Sequence, residues 1–133
     1  MSRRKTRDAA FKVLFQVDLV NADVNEAIKI LGEEFKLVDN QFEFLTQLVH
    51  GTLQHQTEID ERITRFSPEW QLERMGAVDR NLLRMATYEI VYEQDVHPVV
   101  AINEAVELAK RYGDDNSKNF INAILDRIRE ENQ

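Results

Sequence analysis

The sequence contains no cysteine, which excludes a disulfide framework and thiol chemistry and fits a cytosolic setting. With only two prolines and four glycines among 133 residues, punctuation is sparse, and long helices with short connections are expected. No apolar run approaches the roughly 20 residues needed to cross a bilayer. The basic start is followed by Asp8, Lys12 and Asp18, which interrupt the apolar core a secretory signal requires. Period-two alternation is also missing; Val99-Val100 is the one β-like moment and is too short to matter.

Signatures of catalysis are equally scarce. Gly32, Gly51, Gly76 and Gly113 are isolated, so no phosphate-cradling loop is present. His50 and His55 do not share a helical face as a metal pair needs, and no zinc motif surrounds them. His97 precedes Pro98 in a turn and reads as structural. No serine stands in a nucleophile-elbow pattern. The expectation is a non-enzyme with no cofactor and no metal.

What is present is helical periodicity in a chain that is 43% hydrophobic, enough for one well-packed domain. The spacing predicts a first helix from near Thr6 to near Val20 and a second over Val24 to Phe35, the latter capped by Asp23. A long third helix should run from Asp39 or Asn40 to Phe66 along a stripe of Phe42, Leu45, Val49, Leu53, Ile59 and Ile63, with Gly51 as a bend. Ser67-Pro68 stops it, and Ser67 is placed to cap a short turn. Further helices are predicted over Ala77 to Glu93 and from Val99 or Ala101 to Tyr112. Gly113 is read as a left-handed cap. A last helix follows, from one of Asp114 to Ser117 to about Ile128. The class is all-α, with the chain divided near Ser67-Pro68 into two halves that share one interface.

Charge is unevenly spread. The net charge is −7, yet Arg3, Arg4, Lys5 and Arg7 precede or share the first helical turn, and no acid comes before Asp8. Cations at that end oppose the helix macrodipole, while free N–H groups there attract phosphate. The placement favours a polyanion, with the acidic remainder suited to a basic protein. Asn116, Lys118 and Asn119, next to Lys110 and Arg111, repeat the pattern at the start of the last helix. Phe120 is read two ways: with Ile124 in the core, or as a platform on which a base of single-stranded RNA stacks. Glu73 and Asp79 are candidate protein contacts, although such clusters are often local ion pairs.

Four ordered stretches carry a resemblance: AINEAVELAK at Ala101 to Lys110, FINAILD at Phe120 to Asp126, DRNLLRMATYE at Asp79 to Glu89, and the N-terminal RRKTRDAAFKVLFQ. Together they resemble the NusB family of transcription antitermination factors along the whole length. The resemblance implies about seven helices in two small packed bundles forming one compact domain. It implies binding of boxA RNA together with NusE, a small-subunit ribosomal protein, within an RNA polymerase antitermination complex that supports ribosomal RNA transcription. It carries RNA contacts onto Arg3, Arg4, Lys5, Arg7, Asn116, Lys118, Asn119 and Phe120, and a NusE contact onto Asp79. Some members self-associate, so a homodimer is an open expectation. Phe15 stands where relatives can carry tyrosine, and Ala123 where a glycine is often found. The domain is also similar to the N-terminal part of certain ribosomal RNA cytosine methyltransferases, whose cysteine nucleophile has no counterpart here. The rival reading is a protein-binding helical scaffold without direct RNA contact.

Overall fold

A computed structural model describes residues 3–69 and 71–132. Among the described residues there are seven α-helices and no strand. They are α1 (Arg4–Val20), α2 (Val24–Glu34), α3 (Asn40–Gln54), α4 (Gln56–Phe66), α5 (Ala77–Tyr92), α6 (Pro98–Tyr112) and α7 (Ser117–Glu131), with one 3-10 turn at Leu72–Arg74.

The centre of the molecule is α5. It packs against α1, α3 and α4 on one side and α6 and α7 on the other. Periodicity gave it one inner face of Val78, Leu82, Met85, Ala86 and Ile90. In the structure every residue from Asn81 to Ile90 is buried, as expected of a helix enclosed all round. The polar members of that run survive burial because each of the charged ones has a partner. Arg84 Nε and Nη2 donate to the two Asp60 carboxylate oxygens at 2.9 and 3.1 Å. Asn81 Nδ2 donates to Asp18 and to the Ala77 carbonyl, both at 2.9 Å.

Glu89 is paired across the core. Arg7 on α1 is 4% exposed and Glu89 1%, and the Arg7 guanidinium donates through Nε and Nη2 to the Glu89 carboxylate at 2.8 to 3.1 Å. Burial pushes the Glu89 carboxyl upward, and the hydrogen bonds and charge of Arg7 pull it back.

Three local expectations are corrected. The long third helix is two helices, α3 and α4, separated at His55 rather than bent at Gly51. Gly51 lies inside α3, where a Cβ would run into the Tyr88 ring; its role is close helix packing. The His55 ring folds back, with Nδ1 donating to the Gly51 carbonyl at 2.9 Å, and stacks on Tyr92 with centroids 3.9 Å apart. Ser67 caps no following turn: its hydroxyl donates back to the Ile63 carbonyl at 2.8 Å and closes α4. Gly113 is extended (φ −93°, ψ −175°), not left-handed; a Cβ there would meet Ser117 Oγ at 2.5 Å. In addition, α6 begins earlier than predicted, with Pro98 at its first position and His97 Nδ1 accepting the Val99 N–H at 3.2 Å.

Arg7→Ala is expected to destabilise the protein by about 3–5 kcal/mol, because Glu89 is left buried without its cation. Urea unfolding measures this. The double variant Arg7→Met, Glu89→Met should recover most of the loss, since no buried charge remains; a double variant as unstable as the single would refute the account.

Candidate nucleic-acid interface

Ion pairs anchor the start of α1 against α6. Asp8 is 3% exposed and accepts from Arg111 Nη1 at 2.6 Å and from the Tyr112 hydroxyl at 2.7 Å. One turn earlier, Arg4 Nε and Nη2 donate to the two oxygens of Glu104 at 3.1 and 2.9 Å. The two helices therefore run side by side in the same direction, and the second turn of α1 is bolted to the last turn of α6. The α6–α7 junction begins at the very next residue, Gly113. The basic start of α1 is thus held against the side of α6 that leads to the junction.

Along that side Arg3, Arg4, Lys5 and Arg111 are exposed. Between them Lys12 is half-buried, its Nζ 5.0 Å from the centroid of the Phe35 ring and 5.5 Å from that of Tyr112. Lys110 pairs with Glu107 at 3.0 Å on the outer face of α6.

The junction itself is a closed hydrogen-bond loop. The Asp114 N–H donates to Ser117 Oγ at 3.1 Å, and Asp114 Oδ1 accepts from the Ser117 hydroxyl at 3.3 Å and from the Asn116 N–H at 2.9 Å. Ser117 is buried, and Asn116, Lys118 and Asn119 are exposed beside it. Phe120 answers both of its readings. It is half-buried and packs on the core, and it also borders two surface grooves. One, of about 360 Å³, is shared with Arg74, Met75, Gly76, Asp79 and Asn116. The other, of about 270 Å³, lies against Phe66, Pro68 and Arg127.

Two expected site residues are placed differently. Arg7, expected at RNA, is inside the protein on Glu89, so its charge is not presented to a phosphate. Asp79 and Glu73, expected on one acidic face, are separated. Exposed Glu73 borders a groove with Asp60, Glu61 and Arg65, whereas Asp79 shares the Phe120 groove with Asn116. Asp79 is strained electrostatically: Oδ1 is buried without a hydrogen-bond partner. Burial raises its carboxyl above the ordinary value, and Asp114 adds to the rise while the Ser117 hydroxyl opposes it.

Sequence reasoning missed Lys12, Arg74 and the bolting role of Asp8. Asp8 bonds residues more than a hundred positions away, so no local spacing announces it. Chemically the surface offers cations, amides and a half-exposed ring. Among the described residues no cluster of three or more metal-ligating side chains occurs, and no helix is long and apolar enough to cross a membrane.

Comparison with known proteins fits this geometry. The NusB family model matches residues 4–130. The transcription antitermination protein NusB of Syntrophomonas wolfei is 53% identical over 128 residues, covering 96% of each chain. The crystal structure of T. maritima NusB superposes with a TM-score of 0.86 at 41% identity, covering 98% of this chain and 92% of its own. A crystal structure of the antitermination factors NusB and NusE in complex with dsRNA superposes at 0.88 with 30% identity, covering 97% and 96%. On these matches the chain belongs to the NusB family, whose members are transcription antitermination factors and not enzymes.

Proposed function

We propose that the protein is a non-catalytic adaptor that holds boxA-type single-stranded RNA across the start of α1 and the α6–α7 junction, and that it does so together with NusE. In this reading it joins the RNA polymerase antitermination complex and supports ribosomal RNA transcription. The observation that carries it is the Asp8 bolt to Arg111 and Tyr112. It lets one strand run from Arg3, Arg4 and Lys5, past Arg111, to Asn116, Lys118, Asn119 and Phe120. Arg7 serves this surface indirectly, by seating α1. That a related NusB has been crystallised with NusE and dsRNA supports both partners.

The basic partner protein is assigned to acidic groups away from that track, Glu73 among them, and to Asp79 at its edge. One observation favours the scaffold reading for part of this surface. Asp79 and Asp114 border the Phe120 groove, and two carboxylates there suit a cationic protein segment better than a phosphate. Binding of boxA RNA with and without NusE separates the readings: if NusE binds and RNA never adds to the complex, the scaffold reading stands.

Lys5→Ala and Lys118→Ala should each weaken RNA binding at low salt and lower the slope of log K against log salt by about one, the signature of a lost phosphate contact. Unchanged slopes would remove those residues from the track. Phe120→Leu keeps most of the packing and removes the ring. It should cost about 1–3 kcal/mol of RNA affinity if a base stacks there, with thermal melting as the control for folding.

Asp79→Asn should stabilise the free protein at pH 7 by at most about 1 kcal/mol, since the half-exposed carboxylate is partly screened. Because the folded state raises this carboxyl, the ionised form opposes folding at neutral pH. The gain should shrink as pH falls through the raised value and vanish below about pH 4, where the unfolded carboxyl is also protonated. The same variant should bind NusE more weakly. A loss of stability at neutral pH would contradict the assignment.

A further inference from the structure

We infer a second base-stacking site, distinct from Phe120, on the guanidinium of Arg3. The inference rests on the RNA-binding reading and deepens it: Arg3 acts as a plane, not only as a charge. Its Cζ lies 4.0 Å from the centroid of the Phe44 ring. Phe44 is a core residue, 6% exposed, while Arg3 is exposed. One face of the guanidinium is therefore seated on a buried core ring, while the residue as a whole stays exposed to solvent. Arginine is planar and weakly hydrated, so it stacks on aromatic faces and offers its own face for stacking; nucleobases use such planes in single-stranded RNA recognition.

The surroundings favour a base over a phosphate. Arg3 borders a groove of about 460 Å³ with Asp95, His97, Val100 and Glu104. Arg7 also lines it but is paired with Glu89, as Glu104 is with Arg4; the remaining carboxylate, Asp95, opposes an anion inside the groove, and a neutral planar base escapes that repulsion. Glu104 is already engaged by Arg4, which keeps a cation at the groove's rim for the phosphate that follows. Val100 is 46% exposed and supplies an apolar edge. His97 accepts the Val99 N–H through Nδ1, so the neutral ring carries its proton on Nε2, a donor for a base acceptor. The groove lies beside the first turn of α1 and the first half of α6, upstream of the Asp8 bolt, so the same strand that reaches Phe120 passes over it.

The test places 2-aminopurine, whose fluorescence is quenched by stacking, at successive positions of a boxA-type single-stranded RNA. With the full-length wild-type chain, two separated positions should be quenched. Arg3→Lys keeps the charge and removes the plane. It should abolish quenching at one position, leave the other, weaken binding at least about fivefold, and leave the salt slope unchanged. Phe44→Leu, checked by thermal melting, should have the same effect by unseating Arg3; Phe120→Leu should abolish the other quench. If Arg3→Lys binds and quenches as the wild type does, Arg3 is a phosphate contact and the inference fails while RNA binding stands. If the wild-type protein shows no salt-dependent RNA binding, the inference falls together with the reading beneath it.

Discussion

The buried pairing of Arg7 with Glu89 is the constraint on which the functional surface depends. Burying two charges is costly unless geometry and hydrogen bonding are good, and here the guanidinium and carboxylate meet through three contacts inside 3.1 Å. The pair fixes the first helix to the central one at a single register. With that register set, Asp8 one position later meets α6, and Arg3, Arg4 and Lys5 are left on the outside. The cations that solvent can reach are positioned by the one it cannot. This also explains why a basic first turn is tolerated at all: its unfavourable position on the helix dipole, about 0.3–1 kcal/mol per exposed charge, is small beside the cost of breaking the core pair.

Charge on the partner-facing surface is mixed rather than segregated. Asp79, Asp114 and Arg74 meet around Phe120, and Asp95 and Glu104 meet around Arg3. Under the proposed function, a strand of RNA following this surface meets cations along its backbone path and carboxylates in the recesses. Such an arrangement repels phosphate from the recesses and leaves them to flat uncharged groups or to the side chains of a cationic protein.

Much of this was legible in the sequence, and the remainder was not for identifiable reasons. Five of the seven helices arise from periodicity within a few residues of their ends, because each carries an apolar stripe and is bounded by a recognisable break such as Asn21 or Pro98. The split between α3 and α4 was missed because the His55 ring that sits at it stacks on Tyr92, a contact no local spacing announces. Residue types marked Arg3, Lys5, Lys118 and Phe120 as interface candidates, and the structure leaves the first three exposed and Phe120 half-buried. They misplaced Arg7 because nothing local distinguishes an arginine that faces solvent from one whose carboxylate lies 82 positions downstream. Asp79 was misgrouped with Glu73 for a similar reason: six residues apart in sequence, Glu73 sits in the 3-10 turn and Asp79 in the first turn of α5, and they border different grooves.

The enclosure of α5 bears on how the protein is made. Three of the first four helices, α1, α3 and α4, pack on a helix that follows them in the chain. While the ribosome is still translating, those helices can meet one another, but the arginine destined for the interior has no carboxylate to meet. Stable structure must wait until Ala77–Tyr92 has cleared the exit tunnel, and the nascent chain before that point is the species most dependent on chaperones.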